Sequence, residues 1–350
     1  MAYFWWMRVS YLFFPSIIIL LLKLSCVKGE SVDLNLLSRD QYHQKLQEDV
    51  LEIDESENPV AFSSQRMAAS RAIENLRDDR LFEDPISHIL AGEKAMLLAK
   101  EKYESNQGLS KRRNISIRTR YFDDFLEDKC NKNDIKQVVI LGAGMDSRAF
   151  RLNLPEGCTI FEVDQEVVLS VKQQKLEKVT DKFLPKSKRV PVSIDFTKNE
   201  LKSKLLRAGF SNQIPSIWIV EGVTMYLTES ENLEMFESIH SICAPNSFIG
   251  VSLVNKKSIE NAQNSESLLM QQWKWGSDVP KEYIEDHCLE WKVQSVVSLG
   301  TPGTYPDGAN YAAYDRILTK EKGVSGGKVM YVIILHQGNA GKGPAGDLYL

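Results

Sequence analysis

Metal and disulfide chemistry have little to work with in this 350-residue chain. Its five cysteines (Cys26, Cys130, Cys158, Cys243 and Cys288) include no Cys-x-x-Cys pair and are too sparse for a disulfide scaffold. The five histidines (His43, His88, His240, His287 and His336) form no His-x-x-x-His pair, so no metal site is expected. Long basic runs are missing as well. Lys111-Arg112-Arg113 is the main cluster, and the net charge is −4, which argues against a nucleic-acid partner. No internal repeat is visible. What remains is an ordinary globular composition, 43% hydrophobic and 26% charged, in a chain long enough for one large or two modest domains.

The N-terminus differs from the rest. Ala2–Leu22 is apolar and aromatic apart from Arg8 and scattered Ser and Tyr, and the stretch between Arg8 and Lys23 is 14 residues long. That length suits a signal-peptide core; counted from Ala2, the segment approaches spanning length and fits a signal anchor. The expectation is entry into the secretory pathway, secreted or membrane-anchored through residues 2–22. Ser25–Gly29 is a mediocre cleavage site, and Asn114-Ile115-Ser116 is a glycosylation sequon by pattern.

Residues 31–117 read as a helical cap. Helices are expected over Ser64–Leu76, Ala91–Tyr103 and about Ser116–Lys129, with Asp84-Pro85 starting a new element. From Lys136 strands and helices alternate. Strands are expected at Val138–Leu141, Thr159–Val163, Arg189–Ser193, Ile217–Val220, Phe248–Leu253, Trp291–Leu299 and Lys328–Leu335. Helices are expected at Gln165–Val179, Lys198–Ala208, Ser230–Ile242 and Lys281–His287. This is the pattern of a doubly wound α/β sheet. The last two strands lack a long intervening helix and fit an antiparallel pair. Lys256–Val279 reads as a polar insertion after strand five, and the tail from Gly338 as disordered.

The most informative stretch is 137–152. An unbroken aliphatic strand runs into Gly142-Ala143-Gly144, where backbone can approach a ligand closely, and helical spacing resumes at Ser147. Ligands in such sheets sit beyond the carboxyl ends of the strands. Ser147 stands where a dinucleotide fingerprint would place its third glycine. Asp146 would repel a pyrophosphate at the helix N-terminus, although it also fits a helix cap. Further acids follow at strand ends: Asp164 after strand two, Asp195-Phe196 after strand three, and Glu221 after strand four. Together they would lower the potential where a cation sits. S-adenosylmethionine, with its sulfonium and ammonium, fits that pattern better than NAD.

Five phrases then become specific: residues 71–85 (RAIENLRDDRLFEDP), 118–126 (RTRYFDDFL), 138–152 (VVILGAGMDSRAFRL), 161–165 (FEVDQ) and 218–227 (WIVEGVTMYL). Taken in order, they resemble the leucine carboxyl methyltransferase-like family, and within it a large branch of S-adenosyl-L-methionine-dependent methyltransferases. The resemblance runs from about Asn58 to Leu318. It implies a class I methyltransferase fold, a Rossmann-like seven-stranded sheet with an antiparallel C-terminal hairpin, over about 118–337. It also implies site roles. Gly142 and Gly144 would line the methionine part of the cofactor, Asp164 would hold the ribose, and Asp195 with Phe196 the adenine. Glu221 would sit near the methionine end, and Arg118 or Arg120 would contact the cofactor carboxylate. The hydrophobic leader (1–30) and the tail (338–350) depart from the family pattern.

A carboxylate acceptor is ionised at neutral pH and needs no general base, whereas a hydroxyl does. No His/Asp pair at recognisable spacing offers that base. That absence favours a carboxylate acceptor, and the expected reaction is O-methylation of a carboxylate or small-molecule hydroxyl. Tyr226 and Arg71 are candidates for the acceptor pocket, and Trp273 and Trp275 for a lid over it. Each aromatic also reads as ordinary packing. The alternatives are an NAD-type oxidoreductase and a cofactor-binding module without turnover.

Overall fold

The computed structural model describes residues 53–105, 114–298 (apart from Thr180, Thr197, Asn199 and Leu289) and 329–337. The leader, the Lys111–Arg113 cluster and the glycine-rich tail lie outside them. Among the described residues no helix is long and apolar enough to cross a membrane.

Strand β1 (Gln137–Leu141) is buried at every position because it is covered on both faces. Its side chains alternate as the pleat requires. Val139 and Leu141 join one core with Phe161, Trp218 and Phe236. Val138 and Ile140 join another with Phe122, Phe125 and Leu126. Around it lie β2 (Thr159–Asp164), β3 (Lys188–Ser193), β4 (Ile217–Val220), β5 (Phe248–Val254), β6 (Trp291–Ser298) and β7 (Val329–His336). The order is β3-β2-β1-β4-β5-β7-β6. The first five strands are parallel, and β7 runs antiparallel to both β5 and β6. This is the class I methyltransferase arrangement with its C-terminal antiparallel pair. The order reverses between β1 and β4, which opens a crevice beyond their carboxyl ends.

Before the sheet come α1 (Pro59–Glu74), α2 (Ser87–Ser105) and α3 (Asn114–Asn133). Asn58 caps α1, its Oδ1 accepting from Ala61 N at 2.9 Å, and Pro59 fills the first turn, where no N–H is needed. Gly92 breaks α2 with φ 76°, so the expected second helix starts earlier and bends. Phe62, Ala68, Ala69, Ile86 and Leu90 form the core shared by α1 and α2, and it reaches Met145 just after the glycine turn.

After β1, α4 is a single turn, Arg148–Arg151. Leu152 is already extended (ψ 149°), and Pro155 lies three residues on, so helical spacing here cannot propagate. The later helices are α5 (Glu166–Glu177), α6 (Leu201–Arg207), α7 (Glu229–His240), α8 (Lys256–Gln263) and α9 (Pro280–His287). A capping box starts α7: Thr228 accepts from Glu231 N while Glu231 accepts from Thr228 N. The expected insertion is thus partly helical. Asn255 caps α8, but the helix buries only Ser258 and Ala262, which left it no apolar stripe to read.

Candidate active site

The glycine turn is locked by backbone. Gly142 N and Ala143 N both donate to Val163 O, at 2.9 and 3.0 Å. Gly142 (φ +68°) and Gly144 (φ +51°) sit in the left-handed region, where a side chain is strained. Space is short as well. A Cβ on Gly142 would lie 2.5 Å from Val223 Cγ2, and one on Gly144 would lie 2.7 Å from Ser64 Cβ.

Beyond this turn is a cavity of about 610 Å³ whose wall includes Gly142, Gly144, Asp164, Phe196, Glu221, Arg71, Arg118, Tyr226 and Trp273. Asp195 lines an adjoining groove that shares Gln165 and Phe196 with it. Arg120 is not part of this wall. Its Nη1 donates to Leu81 O at 2.9 Å and its Nε pairs with Asp124. Arg118 and Arg120 are two residues apart on α3, so they point in different directions, and it is Arg118 that faces the cavity. Trp275 packs on Tyr283 instead, at 4.8 Å between ring centres.

Beneath the turn lies a buried ion network. Arg148 bonds three acids: Asp123 at 2.8 Å, Asp146 at 2.5 Å and Glu221 at 2.8 Å. Arg118 Nε donates to the other oxygen of Glu221 at 2.7 Å. Arg151 pairs with Asp123, and Arg71 Nε donates to Asp84 at 2.8 Å. Ser147 Oγ also bonds Asp84, and Arg71 Nη2 reaches Met145 O. Four guanidiniums therefore face four carboxylates across α1, α3, α4 and the end of β4. Burial alone would raise the Asp146 pKa; Arg148 first, then Lys172, Arg71 and Arg151, hold it at about 2. Glu221 is likewise lowered, Arg148 and Arg118 overcoming its burial.

Asp146 and Glu221 are not free negative charges in the crevice. Asp146 takes the capping role, its Oδ1 accepting from Arg148 N at 2.7 Å, and adds an ion pair. Among the described residues the cavity wall has four carboxylates: Asp146, Asp164, Glu221 and Glu231. Three are in ion pairs, Glu231 with Lys274 at 3.8 Å. Asp164 instead accepts two backbone N–H groups, from Gly144 at 2.6 Å and Gln165 at 2.7 Å. Burial raises its pKa, partly offset by those bonds.

Asp84, Asp123, Arg148 and Arg151 were not singled out from sequence. All four lie inside three of the five family-like phrases. The arginines also sit one helical turn apart on α4, a spacing that places both on one face.

Residues 64–240 match the leucine carboxyl methyltransferase family. The chain belongs to that family. Two Streptomyces coelicolor relatives are each named "Putative S-adenosyl-L-methionine-dependent methyltransferase". One is 34% identical over 199 residues, covering 55% of this chain and 69% of the relative. The other is 30% identical over 234 residues, covering 65% and 76%. A Mycobacteroides abscessus protein of the same name is 35% identical, covering 55% and 63%. Among solved structures, a DUF574 family protein from Streptomyces avermitilis aligns with TM-score 0.49 and 12% identity over 78% of this chain and 97% of that one. The strand order, not that likeness, carries the fold. This methyltransferase uses S-adenosyl-L-methionine as its cofactor.

Proposed function

We propose that the methyltransferase holds S-adenosyl-L-methionine in the cavity at the glycine turn and transfers its methyl group to an oxygen of a small-molecule acceptor, a carboxylate in the first instance. The cavity suits that cofactor. Gly142 and Gly144 keep side chains away from the methionine portion, and Asp164 offers acceptor oxygens to ribose hydroxyls. Phe196 presents an aromatic face to adenine, with Asp195 beside it in the adjoining groove. Arg118 takes the cofactor carboxylate, and the orientation of Arg120 supports leaving it out. Glu221 sits at the methionine end, where it acts together with Arg118 and Arg148 rather than as a lone charge.

Bound there, the cofactor supplies a methyl group on a positive sulfur. The acceptor oxygen forms the new C–O bond as the C–S bond breaks, and the electron pair stays on sulfur. The protein's part is alignment and exclusion of water, which together can account for several kcal/mol of barrier. A hydroxyl acceptor would also have to lose a proton. No histidine lies on the cavity wall among the described residues. Tyr226, a phenol on that wall, has its pKa raised by burial and does not serve as a base near neutral pH. The wall's carboxylates are engaged, Asp146, Glu221 and Glu231 in ion pairs and Asp164 by two backbone N–H groups, and that shortage of a free base is the observation that carries the carboxylate reading. Val60, Ile115, Leu269 and Trp273 add apolar surface to the wall, which fits an acceptor with a hydrophobic body.

The test is chemical. Methyl-labelled cofactor is incubated with the enzyme and a panel of small carboxylic acids and phenols, and labelled products are treated with mild alkali. Methyl esters release labelled methanol, whereas ethers retain the label. Label that survives alkali in every product would overturn the carboxylate reading.

A further inference from the structure

Three potential ligands, widely separated in sequence, meet at the opposite end of the sheet from the glycine turn. His240 ends α7, Glu290 precedes β6, and His336 ends β7. His336 pairs in register with Trp291, and its neighbour Leu335 with Phe248 at the start of β5. One ligand atom from each of the three lies within 4.8 Å of the other two. Glu290 Oε2 is 3.2 Å from His336 Nε2 and 3.6 Å from His240 Nε2. A tetrahedral ion with bonds of about 2.0–2.1 Å sets its ligands roughly 3.3 Å apart, so two edges of such a site are already near their final length.

His336 supplies an independent reason to look for a ligand. It is 3% exposed, and neither of its ring nitrogens has a hydrogen-bond partner. A buried polar group left in that state costs free energy, and the Glu290 carboxylate is 3.2 Å from its Nε2. His240 is more exposed, and its Nδ1 accepts from Trp291 Nε1 at 3.2 Å.

We propose that His240, Glu290 and His336 bind a borderline divalent transition ion of the Zn²⁺ type, with water as the fourth ligand on the open His240 side. Two imidazoles and one carboxylate suit Zn²⁺ and Co²⁺ rather than Mg²⁺ or Ca²⁺, which prefer all-oxygen sets. The ion would tie the end of α7 to the C-terminal antiparallel pair. Ligation through His240 Nε2 requires its hydrogen on Nδ1, which ends the bond from Trp291.

The full chain, expressed without a polyhistidine tag and stripped with a chelator, is titrated with Zn²⁺ by calorimetry and with Co²⁺ by visible absorption. The expected result is one ion per chain, a Co²⁺ ligand-field band, and a shift of the Trp291 indole N–H resonance. Mg²⁺ should produce none of these. His336→Gln and Glu290→Gln should each weaken Zn²⁺ binding roughly tenfold to a hundredfold or more, since changes to outer partners alone reach that range. Glu290 is partly exposed, so its variant keeps the test open if His336→Gln fails to fold. Absence of binding, or binding that neither variant alters, would overturn the proposal.

Discussion

Arg148 Nη2 lies 2.8 Å from Glu221 Oε2, joining the short helix after the glycine turn to the end of β4. These two segments flank the point where the strand order reverses, so the pair ties together the two sides of the crevice from below the glycine turn. Arg148 and Glu221 side chains are only 3% and 14% exposed. A pair this buried acts on stability mainly through what is left behind when one member is removed.

Arg148→Met should therefore destabilise the fold by roughly 3–5 kcal/mol, because Asp123, Asp146 and Glu221 each lose a partner while staying buried. Urea unfolding measures this directly. A loss under about 1 kcal/mol would mean the acids find other compensation.

Acid should weaken the same network. The Asp146 pKa is held at about 2, below its ordinary 3.8. For a carboxyl depressed on folding, the stabilisation is complete above the unfolded pKa and lost as pH falls through the folded one. The contribution is thus present above pH 4 and fades between about pH 4 and pH 2, amounting to about 2 kcal/mol. Unfolding midpoints of wild type and Asp146→Asn, compared across that window, should converge at the acid end. Parallel curves would assign the acid sensitivity to other groups.

Gly142→Ala meets both strain at φ +68° and the Val223 side chain. Overpacking of this kind costs roughly 1–3 kcal/mol. Adding Val223→Ala should recover the steric part of the loss and leave the backbone part. If the second change recovers nothing, the close approach is not what requires glycine here.

The centre of the sheet was legible in the sequence because β1 and β4 are buried on both faces and read as unbroken apolar runs: Ile217–Val220 is found at its expected limits, and β1 gains only Gln137. Helix α8 was not, since its capping residue Asn255 is plain but its buried positions are a serine and an alanine. At the site, Gly142 and Gly144 stood out by residue type. The pairing of Asp146 and Glu221 did not, because it depends on Arg148 and Arg118, which the fold brings together from α4 and α3. His240 and His336 were illegible as a pair for the same reason, being 96 positions apart in sequence, one at the end of α7 and the other at the end of β7.

Tyr226→Phe should leave the turnover rate nearly unchanged. The Tyr226 hydroxyl is raised in pKa by burial, so its removal takes away no base. Steady-state kinetics with any acceptor that passes the alkali test will show this. A hundredfold fall in kcat at unchanged KM would instead make the phenol part of the chemistry.

Asp164 gives the most direct test of the central claim, because it is the one carboxylate on the cavity wall without an ion pair among the described residues. Calorimetric titration of S-adenosyl-L-methionine into wild type and Asp164→Ala should show affinity weakened by roughly 1–3 kcal/mol in the variant, the cost of losing its hydrogen bonds. Thermal unfolding run in parallel should show the variant still folded. Equal affinities would place the cofactor somewhere other than this cavity.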